Sequence, residues 1–327
     1  MKKNLLKTIY NFGGFAPFHW LNREKILILM YHRFSRETNP FKISSAEFAA
    51  HLEYLAKHNR VLSLAETVAL LKNGKTLPPN TTVITIDDGY ADAFEIAFPL
   101  LKKFNLPATL FVVTDFANGK CWLWTDLMRY VLTATTRDFI KIEFEIGEKI
   151  EVELTNKNQR IELAAIINSR LKKMPDKEKD LKIKKIAADL AVEIPALPTA
   201  EYAPINWRQA QEMDASVLKI ESHTATHPIL TNINETRLDF ELNSSRVNLE
   251  TVLNRKSEHF CYPNGSLNET VWQAVKNNEY QSAVTTEYGF NGKEANPFLL
   301  KRIDAPAAIE NFAQSVSGFE AFRKSSS

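Results

Sequence analysis

Short unbroken apolar runs alternate along this chain with longer stretches that carry a helical stripe. The first run, Ile26-Leu-Ile-Leu-Met-Tyr31, ends at His32; runs of the same kind fall at 82–86, 108–113, 217–222, 259–262, 280–285 and 298–303. Apolar runs of this length, rich in β-branched residues, predict strands buried on both faces. A weaker run at 60–64 adds a short strand. Between the runs, apolar residues three and four apart predict helices over 45–59, 65–71, 99–104, 206–214, 235–253 and 268–277. Start signals support them: Ser63-Leu-Ala-Glu66 has capping-box spacing, and Pro99 suits a first helical turn. Seven or eight buried strands alternating with helices predict parallel strands in an α/β fold, closed or nearly closed into a barrel.

The rhythm breaks over 119–204. Ile140, Ile142, Phe144 and Ile146 alternate with polar residues, as do Ile150, Val152 and Leu154, with Gly147 between the two runs. That pattern predicts a hairpin with one solvated face. Two lysine-rich helical stretches follow, near 159–173 and 177–190, and Pro195 and Pro198 close the segment. The expected organisation is an N-terminal segment (1–24), the first part of a barrel (25–118), an inserted α+β subdomain (119–204), the second part of the barrel (205–320) and a frayed tail (321–327).

Composition narrows the class. The 327 residues are 44% hydrophobic with a formal net charge of +2, enough for a large core and no demand for nucleic acid. Cys121 and Cys261 make no disulfide framework, so a reducing compartment is expected. The first 23 residues mix Leu5, Leu6, Ile9, Phe12, Phe15, Phe18 and Trp20 with Lys2, Lys3, Lys7 and Arg23, but hold no apolar run long enough for a signal peptide or a span. They read either as an interfacial anchor or as a segment docked on the domain. Cytoplasmic action is expected, with peripheral contact at the inner membrane face through this segment.

The chemistry sits at the ends of apolar runs. Thr82-Val-Ile-Thr-Ile86 leads directly into Asp87, Asp88 and Gly89. Two carboxylates at the mouth of a buried strand are costly unless paired, and a metal ion is a natural partner. Asp-Gly is also a common turn. Ser222-His-Thr-Ala-Thr-His227-Pro supplies two imidazoles four residues apart; Pro228 disfavours helical backbone at His227 and so favours a turn. Histidines at this spacing also occur on surface faces. Together the two motifs offer Asp plus two His, a three-ligand set that leaves a position open for water.

Ile86-Asp-Asp-Gly89, Ser222-His-Thr-x-x-His227-Pro and Phe260-Cys-Tyr-Pro263-Asn-Gly265 resemble, in order, the motifs of the polysaccharide deacetylase family (the NodB homology domain, carbohydrate esterase family four). Leu29-Met-Tyr-His32-Arg33-Phe34 resembles its exopolysaccharide-deacetylase branch. The resemblance covers about 25–116 and 205–304. It implies a distorted (β/α) barrel of about seven strands, a divalent metal with zinc foremost, and hydrolysis of an N-acetyl group on an amino sugar. Carried over by position, Asp88, His223 and His227 would hold the metal, Asp87 would be the general base, and the backbone N–H of Asn264 would hold the oxyanion. The chain departs from the family in two places. The late stretch 299–304 lacks the acid histidine of many members, and His32 is the substitute. Cys261 stands where many members have arginine, and Arg302 could orient the base instead. Tyr90, Tyr262, Pro263 and Trp124 are candidates for lining the sugar groove, and Trp207 is as readily core. The expected substrate is an N-acetylated cell-envelope glycan or its lipid-linked precursor. A non-sugar cyclic amide and a non-catalytic glycan-binding role are the alternatives.

Overall fold

The computed structural model describes residues 2–144, 149–153 and 156–320. Seven parallel strands close into a barrel: β1 (Leu27–Tyr31), β2 (Thr81–Ile86), β3 (Ala108–Val112), β4 (Leu218–Ser222), β5 (His259–Cys261), β6 (Ser282–Tyr288) and β7 (Leu300–Asp304). They neighbour one another in chain order, and β1 pairs with both β2 and β7, which leaves no open edge. The two-residue strand Arg60–Val61 pairs with the start of β2. The ring is uneven. β3 and β4 pair over five residues, β4 and β5 only at Phe260 opposite Ser222, and the β6–β7 register shifts between Val284 and Tyr288.

Alternation along each strand sorts the side chains. Leu27, Leu29, Ile84, Ile86, Leu110 and Ile220 face outward into the main core, against Phe48, Leu52 and Leu55 of helix Ser45–His58. Ile28, Val83, Phe111, Cys261, Val284 and Leu300 face inward and fill the barrel. Both faces are buried, which is why the strands read as continuous apolar runs.

The chain between β3 and β4 forms a body with its own core. Met128, Val131 and Leu132 of helix Trp124–Ala134 pack on Ile140 of the hairpin (Phe139–Glu143 with Lys149–Glu153) and on Ile167 and Ile183 of helices Lys157–Leu171 and Asp176–Asp189. Helix Trp124–Ala134 has no counterpart in the sequence expectation; nor does helix Ile309–Ser317, whose Phe312 and Val316 join the main core. Ile146, Gly147, Leu154 and the tail 321–327 lie outside the described residues. Among the described residues no helix is long and apolar enough to cross a membrane.

Candidate active site

Strand parity builds the site. Val83, Thr85 and Asp87 share the inward face of β2, so Asp87 points into the barrel mouth. Leu300 and Arg302 share the inward face of β7, so Arg302 meets it there. The guanidinium grips the carboxylate with both arms, Nη1 to Oδ1 at 2.8 Å and Nη2 to Oδ2 at 2.7 Å. Arg302 is itself held by the Thr285 carbonyl through Nε (2.7 Å) and by Thr85 Oγ1 through Nη1 (3.0 Å). Burial pushes the Asp87 carboxyl up, but the charge and hydrogen bonds of Arg302 outweigh it and hold the group below the ordinary carboxylate value. The Cys261 thiol donates to Asp87 Oδ2 at 3.4 Å, and burial raises its pKa, so it stays a thiol. Arg302 is fully buried, not the surface ion pair its residue type suggests.

Asp88 would point away from Asp87 if the strand continued. Instead Asp88 and Gly89 both take left-handed backbone, φ 77° and 89°, and the chain swings Asp88 over the mouth. Glycine is required at 89, where a Cβ would lie 3.2 Å from a Val112 methyl at that positive φ. Opposite, His223 follows β4 and its Nδ1 lies 2.7 Å from the Cys261 carbonyl. That contact requires Nδ1–H and leaves Nε2 free to ligate. Thr224 and His227 also have positive φ, 72° and 61°, so a turn rather than a helix presents the two imidazoles. Thr224 Oγ1 accepts from the His227 N–H at 2.9 Å.

A buried carboxylate holds this turn. Glu241, on helix Glu235–Leu253, accepts from the backbone N–H groups of Ala225 (2.9 Å) and Thr226 (2.8 Å) and from the Thr226 hydroxyl (2.6 Å), and pairs with Arg237 at 2.7 Å. Neither motif nor spacing marks Glu241 in the sequence. The only available cue was an acid on the apolar side of that helix, one turn from Leu238 and beside Leu242.

Asp88 Oδ1 lies 3.5 Å from His223 Nε2 and 3.6 Å from His227 Nε2. Zinc ligands about 2.0–2.1 Å from a tetrahedral centre are about 3.3 Å apart, so these two separations, with all three ligand atoms within 4.8 Å of one another, suit one small divalent cation. Burial and the adjacent His223 push His227 down to about 3, keeping it neutral and fit to ligate. Burial also disfavours charge on His223, but its hydrogen bond to the Asp88 carboxylate and the charge of Asp87 outweigh it and hold that imidazole above its ordinary value. A proton there occupies the place a cation would take. Asp87, His223 and Cys261 also lie within reach of one another, but Arg302 already occupies both Asp87 oxygens.

The other candidates divide. His32 stands at the cleft with its side chain 43% exposed and Nε2 3.8 Å from Asp87 Oδ2. Asn264 lines the cleft with φ 55° and a buried Nδ2 that has no hydrogen-bond partner. Tyr90 reaches the cleft but offers no free ring face: Arg33 covers it at 3.9 Å, Phe116 packs edge-on, and its hydroxyl donates to Asp126 at 2.5 Å. The Tyr262 ring is buried against Phe260, its hydroxyl on the Phe298 carbonyl. Pro263 is buried and does not line the cleft. Trp124 is misplaced as a groove residue. It is 5% exposed in the core of the inserted body and borders a different cavity. Trp207 packs on the main core and donates to Asn118 at 2.8 Å.

Residues 74–283 match the polysaccharide deacetylase family. The chain is 24% identical over 288 residues to YxkH of Bacillus subtilis (strain 168), a polysaccharide deacetylase by designation only, covering 87% of this chain and 74% of that one. It is 33% identical over 81 residues to the poly-β-1,6-N-acetyl-D-glucosamine N-deacetylase of Staphylococcus aureus (strain MSSA476), a match spanning 24% of this chain and 28% of the relative. In fold it is similar to the Streptococcus pyogenes deacetylase PplD, solved with acetate (TM-score 0.61, 20% identity, 90% of this chain and 99% of that one), and to IcaB from Ammonifex degensii (TM-score 0.56, 19% identity, 89% and 97%). The closed seven-stranded barrel thus shares the fold of these solved deacetylases. Within that fold, the chain belongs to the polysaccharide deacetylase family.

Proposed function

We propose that this chain hydrolyses the N-acetyl group of an amino sugar in a cell-envelope polysaccharide or its lipid-linked precursor, with a divalent cation, zinc foremost, held by Asp88, His223 and His227. One observation carries the reading. Three ligand atoms suited to a single cation stand beside a carboxylate that Arg302 keeps ionised. When bound, the cation supplies Lewis-acid polarisation of the acetyl carbonyl and acidifies water at the site. Asp87 accepts the proton of the attacking water. Arg302 fixes the direction of that carboxylate and keeps it charged. Asn264 supplies hydrogen-bond donors to the oxygen that gains charge as the carbonyl becomes tetrahedral. His32 gives the leaving nitrogen its proton, so that acetate and a free amine result. His32 and Arg302 both lie outside the span matched to the family, so the role of Arg302 rests on this geometry and that of His32 on the geometry and the resemblance of the Leu29–Phe34 motif.

The exposed Phe12, Trp20 and Leu21 support peripheral membrane contact by a protein acting in the cytoplasm. The deciding experiment measures bound metal and acetate release from β-1,6-linked N-acetylglucosamine oligomers, with cyclic amides in parallel, for wild type, His223→Ala and Asp87→Asn. The reading requires acetate from the oligomers, loss of metal and activity in His223→Ala, and loss of activity with metal retained in Asp87→Asn. Turnover of cyclic amides alone would replace the substrate class. Unaltered turnover in Asp87→Asn would remove the assigned base.

A further inference from the structure

The two ends of the barrel differ in charge. Every strand of the ring runs toward the mouth, so the segments that lead into the strands gather at the opposite end, the base. A groove of about 1040 Å³ crosses that base. Trp20 and Leu21, 63% and 57% exposed, form one wall. Lys25 ahead of β1, Lys72 and Lys75 ahead of β2, and Lys293 between β6 and β7 also line it. The bridge of Ile26 to Asn291 brings the Lys293 loop down to this end. All four lysines are exposed, and among the described residues none pairs with a carboxylate. Lys25 donates to Asn22 Oδ1 (3.0 Å) and Lys72 to Gln281 Oε1 (2.5 Å), both uncharged. The acids of the groove are Glu24, 3.8 Å from Arg23, and Glu294.

The excess continues past the groove. Lys57 and Arg60, beside the start of β2, and Lys102 and Lys103, at the end of helix Phe98–Phe104 ahead of β3, are exposed at the same end. Glu258 and Glu279 oppose them, and Glu279 is engaged by Arg246 at 3.2 Å. The whole chain carries only +2, so the base is a one-sided concentration of positive charge. The mouth is lined instead by Asp87, Asp88 and Asp304. Exposed lysines alone would suit any polyanion. An exposed indole and leucine set among them suit an anionic lipid surface, where the ammonium groups meet headgroup phosphates and the apolar side chains enter the interfacial layer. The Arg23 guanidinium, 4.4 Å over the Trp20 ring, keeps charge at that ring. From Thr81 at the base, β2 rises about 20 Å to Asp87 at about 3.3 Å per residue.

We propose that the base of the barrel docks on an anionic lipid bilayer through Trp20, Leu21, Lys25, Lys72, Lys75 and Lys293, and so holds the mouth facing away from the lipid. This rests on the deacetylase reading and on the peripheral contact proposed with it. It decides between the two substrates named there: a glycan chain standing off the surface reaches the mouth, and an amino sugar joined directly to a lipid does not.

The test sediments the full chain with vesicles of phosphatidylglycerol and phosphatidylcholine, against phosphatidylcholine alone. Wild type is compared with the double variant Lys72→Gln, Lys75→Gln and with Trp20→Ser. Hydrogen exchange on the vesicle-bound protein maps the docked face. Acetate release is measured from β-1,6-linked N-acetylglucosamine tetrasaccharide, with and without vesicles, and from N-acetylglucosamine joined to a lipid within them. The expected result is binding to the anionic vesicles that falls tenfold or more in the double variant and also falls as salt rises, with weaker binding in Trp20→Ser. Exchange should slow at 20–25 and 72–79 and stay unchanged at 262–266. Both variants should keep wild-type turnover of the free tetrasaccharide, vesicles should leave that turnover unaltered, and the lipid-joined sugar should release no acetate. Equal binding to both vesicle types, undiminished binding in the double variant, protection at the mouth or turnover of the lipid-joined sugar overturns the proposal, as does self-association through this face without lipid. Absence of acetate release from every substrate without vesicles overturns the deacetylase reading instead, and sedimentation and exchange then decide the docking by themselves.

Discussion

Replacing Arg302 by methionine is the sharpest single perturbation of this site. The side chain is fully buried, its partner Asp87 is 2% exposed, and both arms of the guanidinium are engaged. Methionine fills much of the same space but leaves the carboxylate without a counter-charge and the Thr285 carbonyl without its donor. Stripping one partner from a buried ion pair costs about 3–5 kcal/mol. The sign of the pH dependence follows. In the wild type the folded-state pKa of Asp87 lies below its unfolded value of 3.8, so the pair stabilises above that value and the contribution fades as pH falls below it. In Arg302→Met only burial remains and the folded pKa rises above 3.8. The ionised group then costs stability at neutral pH, and acidification relieves the cost by up to about 1.4 kcal/mol per pH unit. Urea unfolding at pH 8 and pH 5 should show a deficit that shrinks with acid, while the acid limb of kcat/KM moves to higher pH because a protonated Asp87 cannot accept a proton. Arg302→Lys keeps a charge without the two-armed grip and should fall between the two. A deficit under about 1 kcal/mol that does not change with pH, or an unmoved acid limb, would refute the assignment of this pair as the poised base.

Further expectations follow from other parts of the molecule. Glu241→Ala leaves the two buried N–H groups of Ala225 and Thr226 unpaired and should weaken zinc binding about 10- to 100-fold by chelator competition, with Glu241→Gln recovering part of it. Gly265→Ala would put a Cβ 1.9 Å from Thr286 Oγ1 at φ 65°; calorimetric melting should report a loss of more than about 1 kcal/mol and the cleft beside Asn264 should deform. His51 is buried between the Tyr31 hydroxyl and the Ala307 carbonyl, and burial pushes it down to about 4. Because the unfolded chain binds that proton more readily, stability falls as pH drops from 6.5 toward 4, by about 2 kcal/mol at pH 5. His51→Gln should remove that part of the acid sensitivity in urea titrations at pH 7 and 5.

The barrel was legible because buried parallel strands write themselves as unbroken apolar runs, and Asp87, Asp88, His223 and His227 were legible because each follows such a run. Arg302 was only half legible. Its place two residues after Leu300 puts it on the inward face, but nothing local says that its partner lies 215 positions earlier. Helix Trp124–Ala134 escaped because its stripe of Met128, Val131 and Leu132 is short and falls where the strand–helix rhythm stops. Two of the aromatic candidates offer no free ring face, for a common reason. Residue type signals affinity for a sugar face, but Tyr90 and Trp124 present their faces to Arg33 and to Lys179, and only the packing reveals it. Glu241 left no motif, because what defines it is a set of contacts with another segment of the chain.

The clamp on Asp87 comes from the final strand of the ring, which has a consequence for biosynthesis. During synthesis Asp88, His223 and His227 are all made by residue 227, but the carboxylate that holds their turn and the carbonyl that orients His223 follow only at 241 and 261. The clamp on Asp87 comes last, at residue 302, when the ring shuts. Assembly of the whole mouth is thereby tied to completion of the barrel, and a chain cut short before the final strand would leave the Asp87 carboxylate without its partner.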